Sequence, residues 1–334
     1  MDLKAKIRKE FFERFGEQGT VYASAGRINL IGEHTDYNGG FVFPGAIDKV
    51  IMAELRANGT DRVRVYSIDL KQSAEFGLNE ADAPEQSWAR YIFGVCREII
   101  KRGGTVHGFD AVFGGNVPLG AGLSSSAALE SCFAFALNDM FNDNAIDHFE
   151  LARIGQSTEH NYCGVNCGIM DASVFGREGN LMRLDCRSME YEYFPFAPEH
   201  HRLVLVDSRV KHELKDSPYN KRRESCERVA GRLGIATLRD ADMAALDAIR
   251  ADVTAEDYMR AKFVIEEKER VLAVCDALQR GDYDTVGRKM YETHEGLSHD
   301  YEVSCEELDT LVDIARENGV TGSRIMGGGF GGCT

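Results

Sequence analysis

The sequence has 334 residues, 43% hydrophobic and 28% charged, enough for one large domain or two of medium size. Its 39 Lys and Arg against 54 Asp and Glu give a formal charge of −15 at pH 7, so the surface as a whole repels nucleic acid and anionic membrane, and neither is expected as a partner. An anionic substrate must therefore be held by a local device rather than by the overall field.

Leu3, Ile7, Phe11 and Phe15 share one stripe of a charged first helix, which lacks the apolar run of a signal peptide. No later stretch is long and apolar enough to span a bilayer. Nine cysteines, an odd number, lie between Cys96 and Cys333 with no export signal, which predicts reduced thiols, no disulfides and a cytoplasmic location. VYASAGRINLIG reads as a strand running into a loop, and FVFPGAIDKVIMAELRA and DRVRVYSID alternate like strands of a mixed sheet. Trp88, Tyr91, Ile92, Val95 and Ile99 fall at helical spacing. The strand GFDAVFGG leads to the loop NVPLGAGLSSS, and Ala127 to Met140 is an apolar helix interrupted by Glu130 and a few polar residues. Helices are expected around 150–162 and after Asp171, strands around 181–207, mostly helix from Tyr219 to Asn318, and a last strand near SRIM. The shift to a helix-rich second half places a boundary near 180, giving an N-terminal domain of residues 1–180 and a C-terminal domain of residues 181–334.

Four blocks carry chemistry. In GRINLIGEHTDYNGG, Arg27, Glu33, His34, Asp36 and Tyr37 gather beside an apolar run, and carboxylates with an imidazole on a loop suit directional bonding to a sugar's hydroxyls. By themselves these residues also fit solvated loop charges, or metal ligands. In PLGAGLSSSAALE, Gly120 and Gly122 offer backbone N–H groups and Ser124, Ser125 and Ser126 offer hydroxyls at a helix start, where unpaired N–H groups and the helix dipole stabilise phosphate oxygens. No lysine follows the glycines, so this is not a Walker A loop, and an ordinarily capped helix after a tight turn is the competing reading. In TEHNYCGVNCGIMD, Glu159 and Asp171 supply one carboxylate suited to magnesium and one suited to a base. His160, Cys163 and Cys167 look like zinc ligands, but a fourth is missing. In GSRIMGGGFGG, a glycine run after a strand allows close backbone approach, or is a loose end.

In this order the four blocks resemble the galactokinases of the GHMP small-molecule kinase superfamily, and GRINLIGEHTDYNGG is close to that family's own signature. Weaker similarity, including LDCRSME and DSRVKHELKDSPYNKRR, covers nearly the whole chain. Because GHMP relatives share both glycine loops, only the EHTD and GIMD blocks argue for galactose. The resemblance implies a two-domain α/β (α+β) GHMP kinase fold with mixed sheets and helices, the active site lying in the cleft between domains. It implies transfer of the γ-phosphoryl group of ATP to the C1 hydroxyl of D-galactose, with Mg2+ as cofactor, galactose and ATP as partners, and a monomer. By this likeness Glu33, His34 and Asp36 would hold the sugar, with Gly168, Asp171 and Tyr219 completing its pocket. Gly120, Ala121, Gly122, Leu123, Ser124, Ser125 and Ser126 would wrap the nucleotide phosphates, and Ser126 and Glu159 would bind magnesium. Asp171 would accept the proton of the C1 hydroxyl, and Arg27 would neutralise charge growing on the transferring phosphoryl group or pair with Asp171.

The sequence departs from the family pattern twice. After Asp171 it passes directly to Ala172 and Ser173, where the family has two further residues, a loss that would turn a continuing helix by about 200°. The close match on both sides predicts a break in the printed sequence there rather than a true peptide with Cα atoms about 3.8 Å apart. The family also continues beyond GGGFGGCT with further strand and helix. Two other readings follow: a related GHMP sugar kinase with an altered pocket, and a galactose- and ATP-binding sensor without catalysis.

Overall fold

Asp2 opens the first helix of the computed structural model, α1 (Leu3–Phe15), by accepting the Ala5 N–H at 2.7 Å, and Gly16 ends it in a left-handed turn. The structure describes residues 2–118, 122–170, 177–196, 198–210 and 218–334. Ile7 and Phe11 of the expected stripe are fully buried and pack with Val112, flanked by Leu3 and Phe15. The chain continues through β1 (Thr20–Asn29), β2 (Phe41–Val42), β3 (Pro44–Ala57), β4 (Arg62–Ser67), β5 (Gln72–Gly77), α2 (Ser87–Lys101), β6 (Phe109–Gly115), α3 (Ser125–Asn142) and α4 (His148–Thr158). Then follow β7 (Asn180–Asp185), β8 (Tyr191–Pro195), α5 (Tyr219–Leu233), α6 (Met243–Ala248), α7 (Ala255–Gln279), α8 (Tyr283–Glu295) and α9 (Glu306–Glu317).

Five strands form one sheet in the order β1-β3-β6-β4-β5, with β4 parallel to β6 and the pairs β3–β6 and β4–β5 antiparallel. Ala53 faces Phe113 and Leu55 faces Ala111 across β3 and β6, so alternate residues make one apolar face. Helices α2 and α3 cover that face: the Phe113 ring lies 5.4 Å from Trp88 and 5.9 Å from Phe133. Val112, between Ala111 and Phe113, points the other way, to α1. Burying each such ring contributes roughly 1.5–3 kcal/mol. A smaller sheet has the order β2-β7-β8, with Phe43 edge-on to Phe194 at 5.2 Å. The helical remainder packs around Cys226, Val229, Leu246, Phe263, Val264 and Tyr301.

By its internal contacts the described chain divides into two units, neither contiguous. One holds residues 2–26, 47–118 and 124–170; the other holds 27–46, 122–123 and the described part of 177–334. Residues 27–46 thus group with the C-terminal half, because long-range pairing such as β2 on β7 outweighs chain order. Among the described residues two expected strands are not formed. Near SRIM there is only a bridge between Met326 and Cys333. Residues 201–206 carry strand-like residues but have no ladder; pairing begins at Val206 with Thr334 and at Asp207 with Cys333. Alternation alone does not make a strand without a partner's N–H and C=O groups. Conversely β5, whose QSAEFG is largely polar, pairs fully with β4.

Candidate active site

The loop after β1 is built to hold charges out of water. Gly32 takes φ +97°, and a Cβ there would stand 2.7 Å from the Phe41 carbonyl oxygen, so the backbone needs glycine. Its N–H donates to Glu267 of α7 at 2.8 Å, and Glu267 also accepts from Arg270 and from the Thr293 hydroxyl. Thr35 Oγ1 donates to the carbonyls of Gly32 and Phe41, closing the loop on itself. Glu33 is 1% exposed, and its Oε1 accepts from Arg324 at 3.0 Å and from the Gly327 N–H at 2.9 Å. Arg324, also buried, spends its remaining donors on the carbonyls of Asn29, Leu30 and Ile325. The EHTD and GGGFGG blocks are therefore joined by one buried ion pair.

His34, at φ +62°, lies within 5.3 Å of the Tyr219 ring and 4.8 Å of the Tyr301 ring. Its Nε2 meets the Gly328 carbonyl at 3.2 Å, which places the proton on Nε2 and leaves Nδ1 to accept from the Tyr37 hydroxyl at 2.7 Å. Tyr301 then donates to Tyr37 at 2.8 Å. Burial pushes the imidazole down to about 3, so His34 is neutral at working pH. Asp36 begins a short 3-10 turn, and its Oδ1 accepts from the Tyr37 N–H at 3.0 Å. Burial pushes its carboxyl up to about 6; that backbone bond opposes the rise, the nearby Glu33 charge adds to it, and Arg27 offsets part of it. Arg27 donates to the Gly122 carbonyl at 2.5 Å, and its burial lowers the guanidinium while Glu33 and Asp36 support its charge.

The phosphate-type loop meets the last glycine block backbone to backbone. Gly122 takes φ +75°, and a Cβ on it would lie 2.6 Å from the Met326 carbonyl oxygen. Leu123 is buried, Ser124 is the left-handed residue before α3, and Ser125 and Ser126 open the helix with its positive end toward the loop. Ser126 hydrogen-bonds to the Glu159 carboxylate. Glu159 follows α4 in a wider turn (Glu159–Cys163), where the Val165 N–H reaches the Glu159 carbonyl, and burial pushes its carboxyl up to about 7. His160 Nε2 binds the Cys167 carbonyl at 2.8 Å, all nine cysteines are free, and no group of three or more His, Cys, Asp or Glu residues in a metal-holding arrangement occurs among the described residues.

Of the residues singled out in the sequence, Arg27, Glu33, His34, Asp36, Tyr219, Gly122 and Leu123 belong to one unit, and Ser124, Ser125, Ser126, Glu159 and the buried Gly168 to the other. Gly120, Ala121 and Asp171, and the junction of Asp171 with Ala172, lie outside the described residues. Sequence reasoning missed Arg324, Tyr301 and Glu267. For Arg324 the signal was available: a lone cation in the otherwise apolar and glycine-rich SRIMGGG. Tyr301 and Glu267 are brought in by tertiary packing alone.

Three family descriptions match the chain: "Galactokinase galactose-binding signature" over residues 9–57, "GHMP kinases N terminal domain" over 90–179 and "GHMP kinases C terminal" over 275–334. A galactokinase of Thermotoga petrophila is 42% identical over 310 residues, which is 92% of this chain and 86% of that protein. A galactokinase of Bos taurus is 40% identical over 345 aligned positions, 100% of this chain and 87% of its own. The crystal structure of Lactococcus lactis galactokinase complexed with galactose superposes with a TM-score of 0.93 at 33% identity, covering 99% of this chain and 89% of that one. A mevalonate kinase structure, at 19% identity and a TM-score of 0.59 over 94% of this chain and 90% of its own, shares the fold.

Proposed function

Because the chain belongs to the galactokinase family of the GHMP kinases, we propose that it transfers the γ-phosphoryl group of ATP to the C1 hydroxyl of D-galactose, giving galactose 1-phosphate and ADP. The observation that carries this reading is the buried polar loop of residues 32–40, which falls within the stretch matching the galactose-binding signature. Asp36, whose carboxyl is lifted by burial, gains from a sugar hydroxyl that donates to it. Glu33 is held by Arg324 and the Gly327 N–H, so its position does not wait for the sugar. The His34 and Tyr219 rings lie 5.3 Å apart, and both would line the sugar's pocket.

The nucleotide phosphates bind on the segment from Gly120 through Ala121, Gly122, Leu123, Ser124 and Ser125 to Ser126, where the first turn of α3 carries N–H groups that have no partner within the helix. The buried Glu159 carboxyl, hydrogen-bonded to the Ser126 hydroxyl, fits a hard divalent cation, and Ser126 and Glu159 would hold Mg2+. When bound, the ion neutralises charge on the β- and γ-phosphates. Asp171 takes or orients the C1 hydroxyl proton, and Arg27 offsets charge on the transferring group. Nine free thiols fit the reducing cytoplasm. No helix among the described residues is long and apolar enough to cross a membrane.

A coupled assay of ADP release with galactose and a panel of its epimers and N-acetylated relatives, run beside calorimetry of galactose binding, tests the reading. Turnover greatest with galactose is expected, and Asp171→Asn should abolish it while leaving galactose affinity within about tenfold, or about 1.4 kcal/mol. Galactose binding with no ADP release in the unaltered protein would overturn catalysis.

A further inference from the structure

Glu130 is a buried acid in the second turn of α3 that none of the roles above requires. It is 1% exposed, and among the described residues neither of its carboxylate oxygens has a hydrogen-bond partner. Buried polar atoms are rarely left so, and a carboxylate without partners is among the most costly cases. Its place on the helix is informative: Glu130 is four residues after Ser126, so the two side chains share one face, a turn apart. The Ser126 hydroxyl already bonds to Glu159. The charge acting on Glu130 is that of Glu159, of the same sign. Two acidic groups and a hydroxyl therefore share one water-poor patch between α3 and the end of α4, with no basic side chain among the described residues acting on either acid. A divalent cation is the group that would satisfy both acids at once, and the donor set, oxygens only, selects a hard ion.

We propose that Glu130 belongs to the divalent-cation site as its second carboxylate, holding the ion together with Ser126 and Glu159. This rests on the reading of Ser126 and Glu159 as cation ligands. Glu130 sits one turn deeper in the helix than Ser126, so it serves the ion from beneath, and its loss weakens metal retention without touching the sugar loop.

The test uses Mn2+ as the probe, bound to the full chain in the presence of ADP and counted by the loss of its free paramagnetic signal. Galactose affinity and thermal midpoint are measured on the same samples. Glu130→Gln keeps the shape and removes the charge; it should weaken Mn2+ binding about tenfold or more, the range seen when groups supporting a metal's ligands are lost, with galactose affinity unchanged. Glu159→Gln is the companion arm. Weakening in both variants supports the inference, and weakening in Glu130→Gln alone overturns it, because Glu159 would then not share the ion. Weakening in Glu159→Gln alone overturns the role of Glu130 and leaves the cation reading intact. No weakening in either overturns both. If Glu130→Gln does not fold, Glu130→Asp, which keeps the charge but withdraws it by one methylene, decides the same question: unchanged Mn2+ affinity overturns the inference, and a loss with normal galactose binding supports it.

Discussion

Asp36→Asn should make the ligand-free protein more stable, and by an amount that depends on pH. Burial lifts the Asp36 carboxyl from its ordinary 3.8 to about 6, with Glu33 adding to the rise and the Tyr37 N–H and Arg27 opposing it. That difference corresponds to about 3 kcal/mol favouring the neutral acid in the folded state. A carboxyl whose folded value lies above its unfolded value binds its proton more tightly when folded, so ionising it costs stability. The cost is nearly absent below the unfolded value of 3.8, grows between 3.8 and about 6, and is full above about 6. Asparagine carries no such charge and still offers an oxygen to the Tyr37 N–H, which now donates to Asp36 at 3.0 Å. Urea unfolding of both proteins without ligand should therefore show Asp36→Asn ahead by about 2–3 kcal/mol at pH 7.5 and by under about 1 kcal/mol at pH 4. Comparing the two proteins at each pH cancels the titration of groups they share, His34 among them. If only the ionised acid accepts from the sugar, wild-type galactose affinity should fall about tenfold between pH 7 and pH 5, and the variant should lack that dependence. A stability difference that is flat across this range would refute the argument, because it would mean that Asp36 is not held against its charge.

Arg324→Met leaves Glu33 buried without its cation, and should cost about 3–5 kcal/mol in urea unfolding; Arg324→Met combined with Glu33→Gln should recover part of that loss, and a single-variant cost below about 1 kcal/mol would exclude the pair as an anchor of the loop. Gly122→Ala should destabilise by more than Gly59→Ala: both have positive φ, but the added Cβ stands 2.6 Å from the Met326 carbonyl oxygen at Gly122 and meets nothing within 4 Å at Gly59. Gly59→Ala thus isolates the strain of the left-handed backbone, about 1 kcal/mol, and equal losses would show that the glycine blocks do not need their close approach.

The sequence patterns that were most legible were those repeated over many residues. The stripe Leu3, Ile7, Phe11 and Phe15, the helical spacing from Trp88 to Ile99 and the alternation in β3 each reflect burial of one face, and periodicity records burial directly. The EHTD loop stood out in the sequence because its residue types are chemically improbable beside an apolar run. What escaped was whatever depends on a partner far along the chain. The two units are discontinuous because β2 pairs with β7, more than a hundred residues on. Glu267 reaches the loop across 235 residues of sequence, and no local pattern distinguishes it from the other glutamates of α7.

The acidic groups of the candidate site fall into two kinds, and the difference bears on how the protein works. Glu33 is satisfied by the chain itself, through Arg324 and the Gly327 N–H, so it is a preformed element that costs nothing to organise when substrate arrives. Asp36, Glu130 and Glu159 are each lifted by burial, and none makes an ion pair within 4 Å among the described residues. Such groups hold the ligand-free fold at a disadvantage that a hydroxyl donor or a cation removes. Binding energy at these positions therefore includes relief of a cost already present in the free protein, which a site of fully satisfied side chains would lack. Because Asp36 lies in one unit and Glu130 and Glu159 in the other, each unit carries its own such cost. Galactose should accordingly relieve the cost at Asp36, and the cation the cost at Glu130 and Glu159.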